Sequence, residues 1–255
     1  MNVPAGRRSG RPPGWDAAGM DRFEQCAVPA VPGGPAADVG TVIARMRAYR
    51  SRWPPQDGVA VFNQVYLTVT EAVGGRIADG SFADPQAVSV LDVRFAELYL
   101  TAVETEASGG RAPDCWRALF AYRRHPGVRP LQFALAGINA HIGHDLALAV
   151  VDTCRALDCA PEDLEDEFHR VGDLLVTLEE EIREDLMPGP DLLEIADPLT
   201  HLASTWSLER AREASWAAAR VLWRLRGVPP LAEEFRTRMD AGVGLVGRLL
   251  LTPCR

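Results

Sequence analysis

"LQFALAGINAHIGHDLALAVV", residues 131–151, is the stretch whose reading decides the fold. A helix over these residues is apolar almost all round, which places it in the interior of a protein or in a membrane. Four polar side chains interrupt its middle: Asn139, His141, His144 and Asp145. Two imidazoles and a carboxylate at midspan argue against a bilayer. Burying each without a partner costs roughly 2–7 kcal/mol. The expectation is an all-α, single-domain helical bundle around a buried central helix at about 130–157, with a polar site built into it.

Outward from this stretch the chain breaks into helices at clear punctuation. One spans about 38–52, and Asp57 caps a second that ends at Gly80. Asp84 and Pro85 open a third, stopped by Gly109. Pro113 starts a short helix to about 124, and Pro130 starts the central one. Pro161, followed by acids that suit the helix dipole, opens a helix halted at Pro188-Gly189-Pro190. Two more fill about 197–227 and 230–251. No segment alternates with period two, so no strand is expected. Residues 1–36, rich in Pro and Gly, read as an irregular or mobile N-terminal arm before a helical domain at 37–255.

Composition narrows the function. The net charge is −8 and no basic stripe is present, which excludes nucleic acid as the expected partner. All 27 basic residues are Arg, the codon bias of a GC-rich bacterial genome. The cysteines at 26, 115, 154, 159 and 254 form no CxxC pair and read as small reduced thiols. No basic start precedes an apolar run near residue 1, so a cytoplasmic protein without a membrane partner is expected. A homodimer is left open.

Helical residues four apart lie about 40° from each other, and residues three apart about 60° the other way. His141 and Asp145 therefore share a face, with His144 on the flank and Asn139 further round. At that spacing the carboxylate can hold the imidazole in one tautomer or share a metal with it. The spacing recurs at His169 and Asp173 and, reversed, at Asp197 and His201. His169–Asp173 follows an acidic turn and reads as a surface pair. His125, in "RRHPG", reads as a surface residue. Asn63, Tyr66 and Thr70 recur on an apolar face of the second helix, and Asp92 lines up with Val88, Phe95 and Tyr99 on the third. A carboxylate on a core face needs a cation, a donor or a metal. Asp92 opposite His141 and Asp145 would complete an open three-ligand site. The Trp residues 116, 206, 216 and 223 read as core, and Arg210, Arg212, Arg220, Arg224 and Arg226 mostly as a solvated helix face.

At "FNQVYLTVTEAV", "LDVRFAELYL" and "AGINAHIGHDLALAV" the chain resembles an uncharacterised, mainly actinobacterial family of soluble helical proteins. Its signature is Asn-Ala-His-Ile-x-x-Asp-Leu, carried here by Asn139, His141 and Asp145 together with Asn63, Tyr66, Asp92 and Tyr99. The resemblance covers about residues 38–226 and implies an all-α fold without assigning an activity. More distantly, the repeated His-x3-Asp spacing is similar to the helical zinc phospholipase C and P1 nuclease group, which uses more His residues and a processed N-terminal Trp. His144-Asp145 is similar to the doublet of the HD phosphohydrolases. Both likenesses imply metal-assisted hydrolysis.

These readings combine into a small-molecule enzyme with a divalent metal (zinc, or iron or manganese) on His141, Asp145 and Asp92. The ion would activate water against an ester or phosphoester, with His144 as base or spare ligand and Asn63, Tyr66, Tyr99 and Asn139 on the substrate. The alternatives need no cofactor. One is acid/base cyclisation or isomerisation of an apolar precursor by the His141–Asp145 pair. The other is a non-catalytic ligand-binding or interaction protein whose polar cluster is structural.

Overall fold

The computed structural model describes residues 35–186 and 207–253. Helices α1 (Pro35–Arg50), α2 (Gly58–Ala78), α3 (Pro85–Ala107) and α4 (Asp114–Tyr122) precede the central element. That element is α5 (Pro130–Ala140), a π-helical turn (His141–Asp145) and α6 (Leu146–Leu157) in unbroken succession. A 3-10 turn (Pro161–Leu164), α7 (Glu165–Leu186), α8 (Leu208–Leu225) and α9 (Pro229–Leu250) follow. No strand occurs among the described residues, and all of these helices fall in one compact unit, Gly33–Arg255. Of the arm expected at 1–36, Pro35 and Ala36 begin α1, and the rest lies outside the described residues.

The helix ends follow local chemistry. Asp57 accepts from the Val59 N–H at 3.0 Å and Asp84 from the Ala87 N–H at 2.9 Å, each satisfying a donor that the first turn leaves open. Gly80 and Gly109 take positive φ just past α2 and α3, the conformation in which a helix ends without strain on a Cβ.

Packing then centres on residues 130–157. Helices α2, α4 and α9 cover the α5 half, α3 and α8 cover the α6 half, and α3, α8 and α9 all reach the π turn. The 28-residue span Pro130–Leu157 is long and apolar enough to cross a membrane, yet 78% of its most apolar window is buried inside the protein. It is the core helix of the bundle, as the sequence implies. One core cluster joins Phe62, Tyr99 and Trp116 to the α5 side, and a second joins Leu146, Val150, Phe168 and Trp216 on the α6 side. The polar turn sits at their junction.

One residue of the expected solvated arginine face is displaced from it. Arg212 is 7% exposed, donates to the Phe168 carbonyl and stacks 4.2 Å from the Phe168 ring. Burial lowers its pKa to about 10, and the carbonyl and ring replace the water that the guanidinium gave up.

Candidate active site

The π turn is the local departure that builds the site. The Leu146 N–H donates to the His141 carbonyl, five residues back, so the turn is wider than an α-turn. Neighbouring residues do not face each other in a regular helix. Here His144 nonetheless reaches Asp145, its Nδ1 lying 2.7 Å from Oδ1. His141 Nδ1 lies 3.0 Å from Oδ2, and the Trp116 indole Nε1–H donates to the same oxygen at 3.0 Å. Asp145 thus gathers three N–H donors while 1% exposed. Burial alone would raise its pKa, but the two imidazoles outweigh that and hold it below the ordinary carboxylate value.

The two histidines diverge in character. Burial lowers the pKa of His141, which is neutral, with its Nδ1–H on Asp145 and its Nε2 lone pair turned away. For His144 burial also opposes charge, but the Asp145 hydrogen bond and charge prevail and its pKa is raised. His144 also feels Asp240 and Arg236 of α9. One imidazole balances the carboxylate, and the other is left as a free base.

His141 stands inside a cage of rings. Phe95 stacks on it in parallel at 3.5 Å between centroids, and Tyr66 meets it edge-on at 4.3 Å. Phe62, Trp116 and Tyr99 close the remaining sides at 5.8, 5.9 and 6.2 Å. Gly137 admits Phe62 to this position, because a Cβ there would fall 2.2 Å from the Phe62 ring. Of the five rings Phe95 alone is only partly buried, so it forms the outer wall.

Three buried polar atoms around the cage have no hydrogen-bond partner: His141 Nε2, the Tyr66 hydroxyl and Asp92 Oδ2. Asp92 lies one helical turn before Phe95 on α3, and its charge is felt at Tyr66. Burial pushes the Asp92 pKa up to about 7. Burial, then Asp92, raises the Tyr66 pKa and keeps its phenol protonated. A self-contained structural network would pair such atoms. These are left as an acceptor, a donor and a carboxyl able to change state near neutrality.

The other residues singled out from the sequence divide. The Asn63 amide donates to the Met46 carbonyl at 3.1 Å and accepts from the Tyr99 hydroxyl at 3.2 Å, so this buried pair braces α1, α2 and α3 against each other. Asn139 is on the opposite side of the central helix from the cage and donates to the Val243 carbonyl of α9 at 3.0 Å. His125 and His169 are exposed, as expected. Asp197, His201 and Trp206 lie outside the described residues.

Asp92 is not gathered with His141 and Asp145 into a ligand group. Among the described residues, the set whose ligating atoms lie within 4.8 Å of one another is Cys115, His144 and Asp145. Sequence reasoning passed over Cys115 as a bland thiol and Trp116 as core, and only their shared approach to Asp145 distinguishes them. Burial, with Asp145 and Asp240 nearby, pushes the Cys115 thiol up. An ion here would have to displace the His144 proton and ionise Cys115, on a carboxylate that already accepts three donors.

Comparison with known proteins adds the family. Residues 39–253 match the model of the family of unknown function DUF5995, and the chain belongs to that family. No curated protein matches it, and no solved structure does.

Proposed function

We propose that this DUF5995 chain is an acid/base enzyme that moves a proton on a small, largely apolar ketone, in the manner of an isomerase or cyclase. The observation that carries the reading is the unpartnered His141 Nε2, held in an aromatic cage with its Nδ1 fixed on Asp145. A carboxylate that accepts Nδ1–H sets the tautomer and leaves Nε2 as the base. The apolar walls keep the imidazole neutral, the form that can take a proton.

The remaining groups supply the other half of the chemistry. As Nε2 removes a proton α to the carbonyl, the C–H electron pair forms the enolate C=C bond and the carbonyl π pair moves onto the oxygen. The Tyr66 hydroxyl donates to that oxyanion, and the His141 imidazolium returns the proton at the α or γ carbon. In this reading Asp92, whose pKa burial pushes up to about 7, relays protons with solvent. Entry is on the Phe95 side.

The test is solvent exchange followed by proton NMR. The protein is incubated in D2O with a panel of β,γ-unsaturated ketones, and loss of the α-proton signal is timed. Exchange above the buffer rate is expected for at least one ketone. His141→Gln should abolish it with the circular dichroism unchanged, and Tyr66→Phe should slow it about 10²-fold, as loss of one oxyanion donor does. Exchange at the buffer rate for every ketone, or a His141→Gln effect on stability alone, rejects the reading and favours a structural network.

A metal reading has one observation behind it, the proximity of Cys115, His144 and Asp145. Such an ion would supply Lewis-acid activation of water for ester hydrolysis. Elemental analysis of protein purified without chelator decides between them. About one zinc per chain, lost in His144→Ala and retained in His141→Gln, would favour hydrolysis.

A further inference from the structure

On the far side of the π turn from the His141 cage, α8 and α9 part to leave a cleft of about 500 Å³. Its floor is Asn139 and Gly143 of the central element. Ser215 and Ala218 of α8 form one wall, and Phe235 and Met239 of α9 form the other. That volume is in the range of small-molecule sites, which are mostly apolar with a few placed polar groups.

Arg238 borders the cleft with its guanidinium on Glu234 at 2.7 Å, and two neutral polar groups are placed in this way. Ser215 is 2% exposed and its Oγ has no hydrogen-bond partner. Asn139 uses its amide N–H on the Val243 carbonyl and has no hydrogen bond on its Oδ1 among the described residues. A serine hydroxyl buried without a partner leaves its desolvation uncompensated, so it is a group awaiting one. We infer that this cleft binds a neutral, flat, apolar molecule bearing one hydroxyl group. The ligand oxygen accepts from Ser215 Oγ–H, and its own proton is donated to Asn139 Oδ1. An alcohol or phenol fits both groups at once, whereas an ether or ketone fits only Ser215. The inference does not rest on the acid/base reading, because neither His141 nor Asp145 lines the cleft.

The probe is 2-naphthol, whose emission separates a buried neutral form from the naphtholate formed in water, with 2-methoxynaphthalene as the analogue that cannot donate. The full chain should bind 2-naphthol saturably, one per chain, and hold it about tenfold more tightly than the methoxy compound, the worth of one hydrogen bond. Ser215→Ala should weaken both naphthalenes about tenfold. Ala218→Phe should abolish binding by filling the cleft. Ala214→Phe, at an exposed position on the same wall, does so without touching the core should Ala218→Phe not fold. His141→Gln should bind 2-naphthol like the native chain. Equal affinity for the two naphthalenes overturns the inference, as does unchanged binding in either filled variant. Affinity that falls as protein concentration rises assigns the cleft instead to a second copy of this chain and equally overturns it.

Discussion

At Asp145 and Asp92 two buried carboxylates take opposite states, and the difference is one of partners. Asp145 accepts from Trp116, His141 and His144 and stays ionised, whereas Asp92 has burial and nothing to offset it. The folded Asp92 keeps its proton to about pH 7 while the unfolded chain releases it near 4, so its contribution to stability falls as pH rises through that window. Asp92→Asn should therefore stabilise the protein at pH 8, by an amount on the order of a few kcal/mol, and leave it nearly unchanged at pH 4. Urea unfolding at the two pH values measures this. The acid side has the reverse sign. The contribution of His141, neutral when folded, is lost as pH falls below the ordinary imidazole value of about 6.5, that of His144, whose pKa is raised, grows over the same range, and that of Asp145 is lost as it gains its proton. Asp145→Asn leaves one oxygen for Trp116 and His141 but sets an N–H against His144 and removes the buried charge that His144 balances, and it should cost about 3–5 kcal/mol. Polar residues in an apolar run made His141, Asp145 and Asp92 legible from the sequence. Their partners were not, because Trp116 and Phe95 look like any core aromatic until the fold brings them to the turn.

Among the elements, helix limits were readable because their signals are local: Asp57, Asp84, Pro130 and the glycines past α2 and α3 act within one turn. The π turn was not. One extra residue in a run that is apolar on every face leaves the hydrophobic pattern unbroken, so periodicity gives no sign of it. Helix pairing was equally hidden. Gly244 of α9 lies against the backbone of α4, where a Cβ would meet the Asp114 carbonyl oxygen at 2.6 Å and its carbon at 2.9 Å. From the same helix Asp240 accepts from the Asp114 and Cys115 N–H groups at 2.9 and 2.8 Å, capping α4 across 126 and 125 residues of chain. Gly244→Ala has a rigid obstacle before it and should cost about 1–3 kcal/mol, the range of core overpacking. Chemical denaturation would register it, and the Cys115 amide should lose protection in hydrogen exchange.

Over the whole molecule, the end of the chain closes the site built at its centre. Gln132, in the first turn of α5, donates from Nε2 to the Leu250 and Thr252 carbonyls at 2.8 Å each, and Leu251 is fully buried. Helix α9 thereby rests on α4, α5 and the π turn together. A chain ending at Leu225 loses these contacts and uncovers His144 and Cys115. It should keep most of its far-ultraviolet helix signal but lose cooperative thermal unfolding, which differential scanning calorimetry would show as a broad, low transition.

Phe95, parallel to His141 at 3.5 Å, has a consequence for magnetic resonance. Nuclei above the face of an aromatic ring are shielded by its circulating π electrons, so the carbon-bound imidazole protons of His141 should resonate well upfield of those of His125, which lies in solvent. Each opening of the Phe95 wall would return them downfield. That displacement would time any parting of the Phe95 and His141 rings directly.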